Sequence, residues 1–139
     1  MVLTYKFQKQ ELEDGSTILR PKIMVTLEGS KDKFPLIALL DTGCDTTILS
    51  ESVATLIGLD QSGRRLKFYA YNESCDAIES QCIITLQGRQ QREEVRLQVP
   101  VLIALGDQSE EVVLGLAGIF DQFNITFKRK ENRITLKKV

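Results

Sequence analysis

One run of residues constrains the fold more than any other. Phe34-Pro35-Leu36-Ile37-Ala38-Leu39-Leu40 carries no charge, stops at Asp41-Thr42-Gly43, and after Cys44-Asp45 resumes as Thr46-Thr47-Ile48-Leu49-Ser50. A short apolar run bounded by turn residues is the pattern of a buried strand. Asp41 is thereby placed where such a strand breaks into a loop. A carboxylate at the edge of a low-dielectric core is unfavourable unless it is hydrogen-bonded or paired. A residue held in such a position is a candidate for function.

The segments around this run alternate. Leu3, Tyr5 and Phe7 fall on one face with Thr4, Lys6 and Gln8 on the other, and Ile23, Val25 and Leu27 alternate against Met24, Thr26 and Glu28, which predicts two half-buried strands. Asp14-Gly15-Ser16 between them and Gly29-Ser30-Lys31-Asp32 after them have the chemistry of solvated turns. Ser50 is suited to cap a short helix over 51–57 that buries Val53, Leu56 and Ile57, with Glu51 at its positive end and Gly58 just past its last residue. Residues 66–71 and 77–86 then read as a long hairpin with a polar tip, Asn72-Glu73-Ser74-Cys75-Asp76. Beyond a polar loop at 87–92, Val95, Leu97, Val99 and Val101 alternate into Leu102-Ile103-Ala104-Leu105. A further loop, 106–111, leads to Val112-Val113-Leu114-Gly115, a second apolar run ending in glycine. One or two helical turns follow over 116–122, weakened by Gly118. Phe123, Ile125 and Phe127 alternate up to a turn at 129–132, and Ile134 to Leu136 returns as a last strand. Many short strands with turn signals between them and two helical pieces predict an all-β, closed-barrel-like or sandwich-like domain.

Composition narrows the chemistry. With 139 residues, 42% of them hydrophobic, the chain suffices for a single domain, 1–139, with its own core. Eighteen basic residues against nineteen acidic ones leave a formal charge of −1, so no global field favours nucleic acid or an anionic membrane. Neither partner is expected. The first residues lack a signal-peptide pattern and no apolar run approaches membrane-spanning length, which predicts a cytoplasmic protein. Three cysteines, Cys44, Cys75 and Cys82, show no CxxC spacing and read as reduced thiols. There is no histidine, which removes Ser-His and Cys-His machinery and the usual zinc ligands. Neither a cofactor nor a metal is expected.

Asp41-Thr42-Gly43 at the end of a buried strand, followed by a small residue, an acid and Thr-Thr-Ile-Leu, resembles the active-site loop of aspartic proteases. With one such motif in a chain of this length, the protein is similar to the retropepsin-like, single-domain family of retroviral type, in its bacterial branch. Val112-Val113-Leu114-Gly115 matches that family's hydrophobic-hydrophobic-Gly element, and Gly118-Ile119-Phe120-Asp121-Gln122-Phe123 resembles the segment leading into its closing hairpin. The resemblance runs from about Arg20 to Leu136 in family order. It implies an acid-protease fold with a flap hairpin, and aspartic-type hydrolysis of a peptide or protein substrate.

Amide hydrolysis needs a general base for water and a general acid for the leaving nitrogen, and two carboxyl groups sharing one proton supply both. One chain offers half of that pair. The second carboxylate is most simply Asp41 of another copy across a two-fold axis, so the expectation is a homodimer with Asp41, Thr42 and Gly43 as its catalytic loop. The resemblance further implies that Thr42 hydroxyls bond across the interface, that the hairpin from Leu66 to Leu86 is the flap, and that Asp45, Tyr69, Tyr71 and Asn72 contact substrate. Two departures from the family pattern stand out. Leu116 occupies a position where the family often carries an arginine for the acid at Asp45, and the flap tip lacks glycines. They motivate an alternative, a non-catalytic retropepsin-like dimerisation or peptide-binding module. Cys44 reads as a small buried hydrophobe, Asp121 as a structural corner, and the basic cluster around Lys128, Arg129, Lys130 and Arg133 as a solvated hairpin face.

Overall fold

The computed structural model describes residues 1–70, 73–89, 93–109 and 111–139, with Ala70 described by its backbone alone. Twelve strands and one α-helix follow in the order β1 (Val2–Tyr5), β2 (Gln8–Glu11), β3 (Thr17–Arg20), β4 (Lys22–Glu28), β5 (Lys33–Leu40), β6 (Thr47–Ser50), α1 (Glu51–Ile57), β7 (Arg65–Ala70), β8 (Glu73–Gln87), β9 (Glu94–Ala104), β10 (Val112–Leu114), β11 (Phe123–Lys128) and β12 (Arg133–Lys138).

The main sheet runs β4-β5-β10-β6-β9-β8-β7, and β4 also pairs with β8. That extra pairing, Val25 to Glu28 against Leu86 to Ile83, joins the sheet to itself, so all its strands but β7 form a ring. Closure removes the exposed edges of an open sheet. The inward residues are those the alternation singled out: Ile23, Val25 and Leu27 on β4, and Leu36, Ala38 and Leu40 on β5, are buried, while their outward neighbours Met24 and Ile37 are largely exposed. Ile84, Leu86, Val99, Val101, Ile103 and Leu114 complete the interior. A second sheet, β1-β12-β11, adds Leu3, Tyr5, Phe123, Ile134 and Leu136 to the same core.

Helix α1 forms as its caps prescribe. The Ser50 hydroxyl accepts a hydrogen bond from the Val53 amide, and Gly58 takes the left-handed conformation, φ 77°, that ends the helix. Its buried face is Val53, Ala54 and Ile57, whereas Leu56 stands 51% exposed. The expected burial of Leu56 is therefore corrected: over fewer than two full turns of contact, the smaller Ala54 takes the inward position.

Three other expectations change. A hairpin not anticipated, β2 on β3, intervenes between β1 and β4. Asp14-Gly15-Ser16 is its turn, with the Asp14 carboxylate accepting from the Ser16 amide at 2.9 Å. Residues Glu73 to Asp76, read as hairpin tip, extend β8 and pair with β7, because a ladder of main-chain bonds outweighs polar side-chain character. Residues 116–120 form one wide turn closed by the Asp121 amide on the Leu116 carbonyl, with non-helical backbone at Ala117 and at Gly118, φ 83°. Positive φ at Gly118 is what breaks the expected helix. In the loops expected at 87–92 and 106–111, residues 90–92 and Glu110 lie outside the described residues.

Candidate active site

β10 lies between β5 and β6, two strands adjacent in the chain. It runs parallel to β5, with Leu114 opposite Leu40, and antiparallel to β6, with Val112 opposite Leu49. The loop from Asp41 to Thr46 must therefore cross over the end of β10. Where it crosses, its main chain is tied down on both sides: the Asp41 amide donates to the Leu114 carbonyl at 3.1 Å, the Leu116 amide to the Cys44 carbonyl at 2.9 Å, and the Ala117 amide to the Asp45 carbonyl at 2.9 Å.

Gly115 makes this contact possible. A Cβ built there would lie 2.5 Å from the Thr46 carbonyl carbon and 2.8 Å from the Cys44 carbonyl oxygen, closer than any side chain permits. Its amide donates to the fully buried hydroxyl of Thr47 at 3.1 Å, which satisfies a polar group that water cannot reach. The Val112-to-Gly115 element thus backs the loop by main-chain contact as well as by apolar packing.

On the outer side, the Gly43 amide donates to Asp41 Oδ1 at 2.9 Å. The side chain of Asp41 is half-buried, and Thr42 and Gly43 are exposed beside it. A cleft of about 250 Å³ opens there, lined by Phe7, Pro21, Leu40, Asp41, Thr42, Phe127 and Arg129. Among the described residues, Asp41 is the sole carboxylate in that lining. Phe7 and Phe127 have ring centroids 6.3 Å apart. Arg129 lies over the Phe7 ring at 5.7 Å and donates to the Leu19 carbonyl at 3.3 Å, so its cation is held at the cleft by stacking and one hydrogen bond.

The other anticipated residues are dispersed. Asp45 is exposed, and its carboxylate makes no hydrogen bond or ion pair among the described residues. Tyr69 is 78% exposed on β7, part of a ribbon in which residues 67–70 pair with residues 73–76, before β8 meets β9 from Ala77 onward. Neither Asp45 nor Tyr69 lines the Asp41 cleft. Tyr71 and Asn72 lie outside the described residues. Cys44 is half-buried rather than buried, and its thiol donates to the Thr46 carbonyl at 3.0 Å. Burial, and beyond it the charges of Asp41 and Asp45, push that thiol above its ordinary range, which leaves it a poor nucleophile. Asp121 accepts from the Gly118 amide at 3.4 Å and belongs to the turn, not to the cleft. Lys128 pairs with Glu131.

Phe7 and Phe127 were legible as members of alternating strands, Arg129 as one of a basic cluster and Thr47 as part of the Thr-Thr-Ile-Leu run after Asp41, while Pro21 gave no signal. That Phe7, Phe127 and Arg129 meet beside Asp41 is decided by pairing between remote strands.

No family model matches the chain, and no curated protein matches it in sequence. Among solved structures it is similar to a retropepsin-like aspartic protease from Rickettsia conorii, with a TM-score of 0.57 at 14% identity, covering 98% of this chain and 91% of that one. The EIAV protease complexed with the inhibitor HBY-793 also matches, with a TM-score of 0.43 at 21% identity over 69% of this chain and 81% of that one. The first likeness spans nearly all of both chains. With its ring of strands and the inserted β10, this chain has the fold of a retropepsin-like aspartic protease.

Proposed function

We propose that the protein is an aspartic-type endopeptidase that works as a homodimer, with Asp41 of each copy forming the catalytic pair. The observation that carries this reading is the cleft beside Asp41, which among the described residues has one carboxylate and no second acid in its lining. A lone carboxylate can act as base or acid but cannot hold both roles at once. Two-fold symmetry supplies the second without any new residue type. In the dimer, one Asp41 takes a proton from water while the other, protonated, donates to the scissile carbonyl.

Thr42 and Gly43 serve this arrangement as positioning residues. The Gly43 amide bonded to Asp41 Oδ1 fixes one carboxylate oxygen and leaves the other for water or the partner carboxyl. Thr42, exposed at the lip, is placed to meet its symmetry mate. The ribbon of β7 and β8 acts as the flap, with Tyr69 on it, and Asp45 borders the substrate channel; both contacts form only with substrate in place. Peptide-library cleavage by wild type and Asp41→Asn, with sedimentation to give the mass, tests the proposal. Cleavage by a dimer that Asp41→Asn abolishes supports it. Activity in a strict monomer, or equal activity in the two proteins, refutes it. Absence of cleavage in both alongside retained peptide binding favours the non-catalytic binding module, to which Asp45, its carboxylate without a partner among the described residues, already lends weight.

A further inference from the structure

Outside the Asp41 cleft, three cavities follow one another as a groove, each sharing lining residues with the next. The first, about 720 Å³, is lined by β1, β12 and the segment Gly88-Arg89. The second, about 310 Å³, shares Gly88 and Arg89 with it and continues past Tyr5 and Lys6 to Lys22. The third, about 240 Å³, shares Gln8 and Lys22 with the second and ends at Lys9, Arg20 and Ile37.

The charge along this groove is one-sided. Arg133, Arg89, Lys6, Lys22, Lys9 and Arg20 line it, against the single carboxylate Glu93. In a chain of net charge −1 that is a strong local asymmetry. None of the six cations pairs with a carboxylate among the described residues; the ion pairs formed are Lys33–Glu28, Arg64–Glu79, Arg96–Glu28 and Lys128–Glu131.

One further feature points to a ligand that is a polypeptide. The groove runs along a strand edge: β4 at Lys22, Ile23 and Met24 pairs with β5 but not with β8, whose pairing begins at Val25, whereas on β1 the Thr4 carbonyl already accepts from the Arg89 amide at 3.1 Å. A free edge offers main-chain donors and acceptors to an added strand. No exposed aromatic ring lines the groove to stack a base, as single-stranded nucleic acid would require.

We propose that this groove docks an extended, carboxylate-rich polypeptide segment. The cations set the chemistry, and the free edge of β4 at Lys22 to Met24 holds the main chain. The groove passes Lys22, next to Pro21 of the Asp41 cleft. The binding does not depend on the peptidase reading and is measurable without cleavage.

The experiment is fluorescence anisotropy of a labelled octaglutamate peptide on the full chain carrying Asp41→Asn, at about 50 mM and about 300 mM salt. Saturable binding is expected at low salt and much weaker binding at high salt. The triple variant Lys6→Glu, Lys22→Glu, Arg89→Glu should weaken it at least tenfold. Lys31→Glu, Arg65→Glu, Lys67→Glu, an equal charge change elsewhere, should weaken it far less. The melting temperatures of the two triple variants should match each other, which separates lost binding from lost folding. Equal weakening by the two triple variants would overturn the proposal, as would absence of saturable binding at low salt. A single-stranded oligonucleotide of the same charge that binds more tightly at the same residues would also overturn it.

Discussion

Gly115→Ala isolates the contact that holds the Asp41 loop in place. The added Cβ would stand 2.5 Å from the carbonyl carbon of Thr46, 2.7 Å from its oxygen and 2.8 Å from the carbonyl oxygen of Cys44. Ordinary carbon contacts begin near about 3.5 Å, so the loop and the end of β10 must separate by roughly 1 Å. All three atoms are main chain, and no rotamer change can relieve the overlap. The same displacement stretches the Leu116-to-Cys44 and Gly115-to-Thr47 hydrogen bonds. Overpacking costs about 1–3 kcal/mol where side chains can adjust; here the upper end, about 3 kcal/mol, is expected. For a domain of this size that lowers the melting temperature by about 9–15 °C. Gly15→Ala is the matched control: φ is +85° there, but a Cβ meets nothing within 4 Å, so backbone strain of about 1 kcal/mol is the whole effect. Calorimetry of both variants reads the difference. A roughly 1 Å shift of a catalytic group costs about 100-fold in rate, so the peptidase activity proposed above should fall with stability. If Gly115→Ala melts no lower than Gly15→Ala, the close approach is not what constrains the loop, and the reasoning fails.

Thr47→Val keeps the shape of a fully buried side chain but removes the hydroxyl that accepts from the Gly115 amide. A loss of about 1–3 kcal/mol in urea denaturation is expected, largely restored by Thr47→Ser. Cys82 is buried, and burial raises its thiol pKa to about 11 from the ordinary 9.0. The unfolded chain then releases that proton before the folded one does, so stability is intact below pH 9, falls as pH rises, and levels off above about 11. The loss is about 2–3 kcal/mol, measured as urea midpoints across alkaline pH. Cys82→Ala should flatten that part of the curve, and an unchanged slope would contradict the assignment.

The local chemistry of the chain was legible without coordinates. The uncharged run before Asp41, the Ser50 and Gly58 caps and the inward faces of β4 and β5 all depend on residues within a few positions of one another. A period of two, a capping hydroxyl or a glycine at a turn expresses itself wherever the chain goes. The site was legible to the same extent: Asp41, Thr42 and Gly43 lie in sequence as they lie in space, and Gly115 was recognisable through its apolar run. The helix expected over 116–122 failed because Gly118 sits against Val99, a neighbour no local pattern reveals.

Tertiary structure decided the rest. The ring depends on Val25 to Glu28 finding Leu86 to Ile83, and the cleft depends on Phe7 and Arg129, from opposite ends of the chain, meeting beside Asp41. The free edge of the groove exists because the first half of β4 pairs with β5 alone. Pairing between remote strands is chosen by the burial of whole faces against the entropy of closing long loops, a balance summed over the entire domain and therefore not written in any one stretch of it.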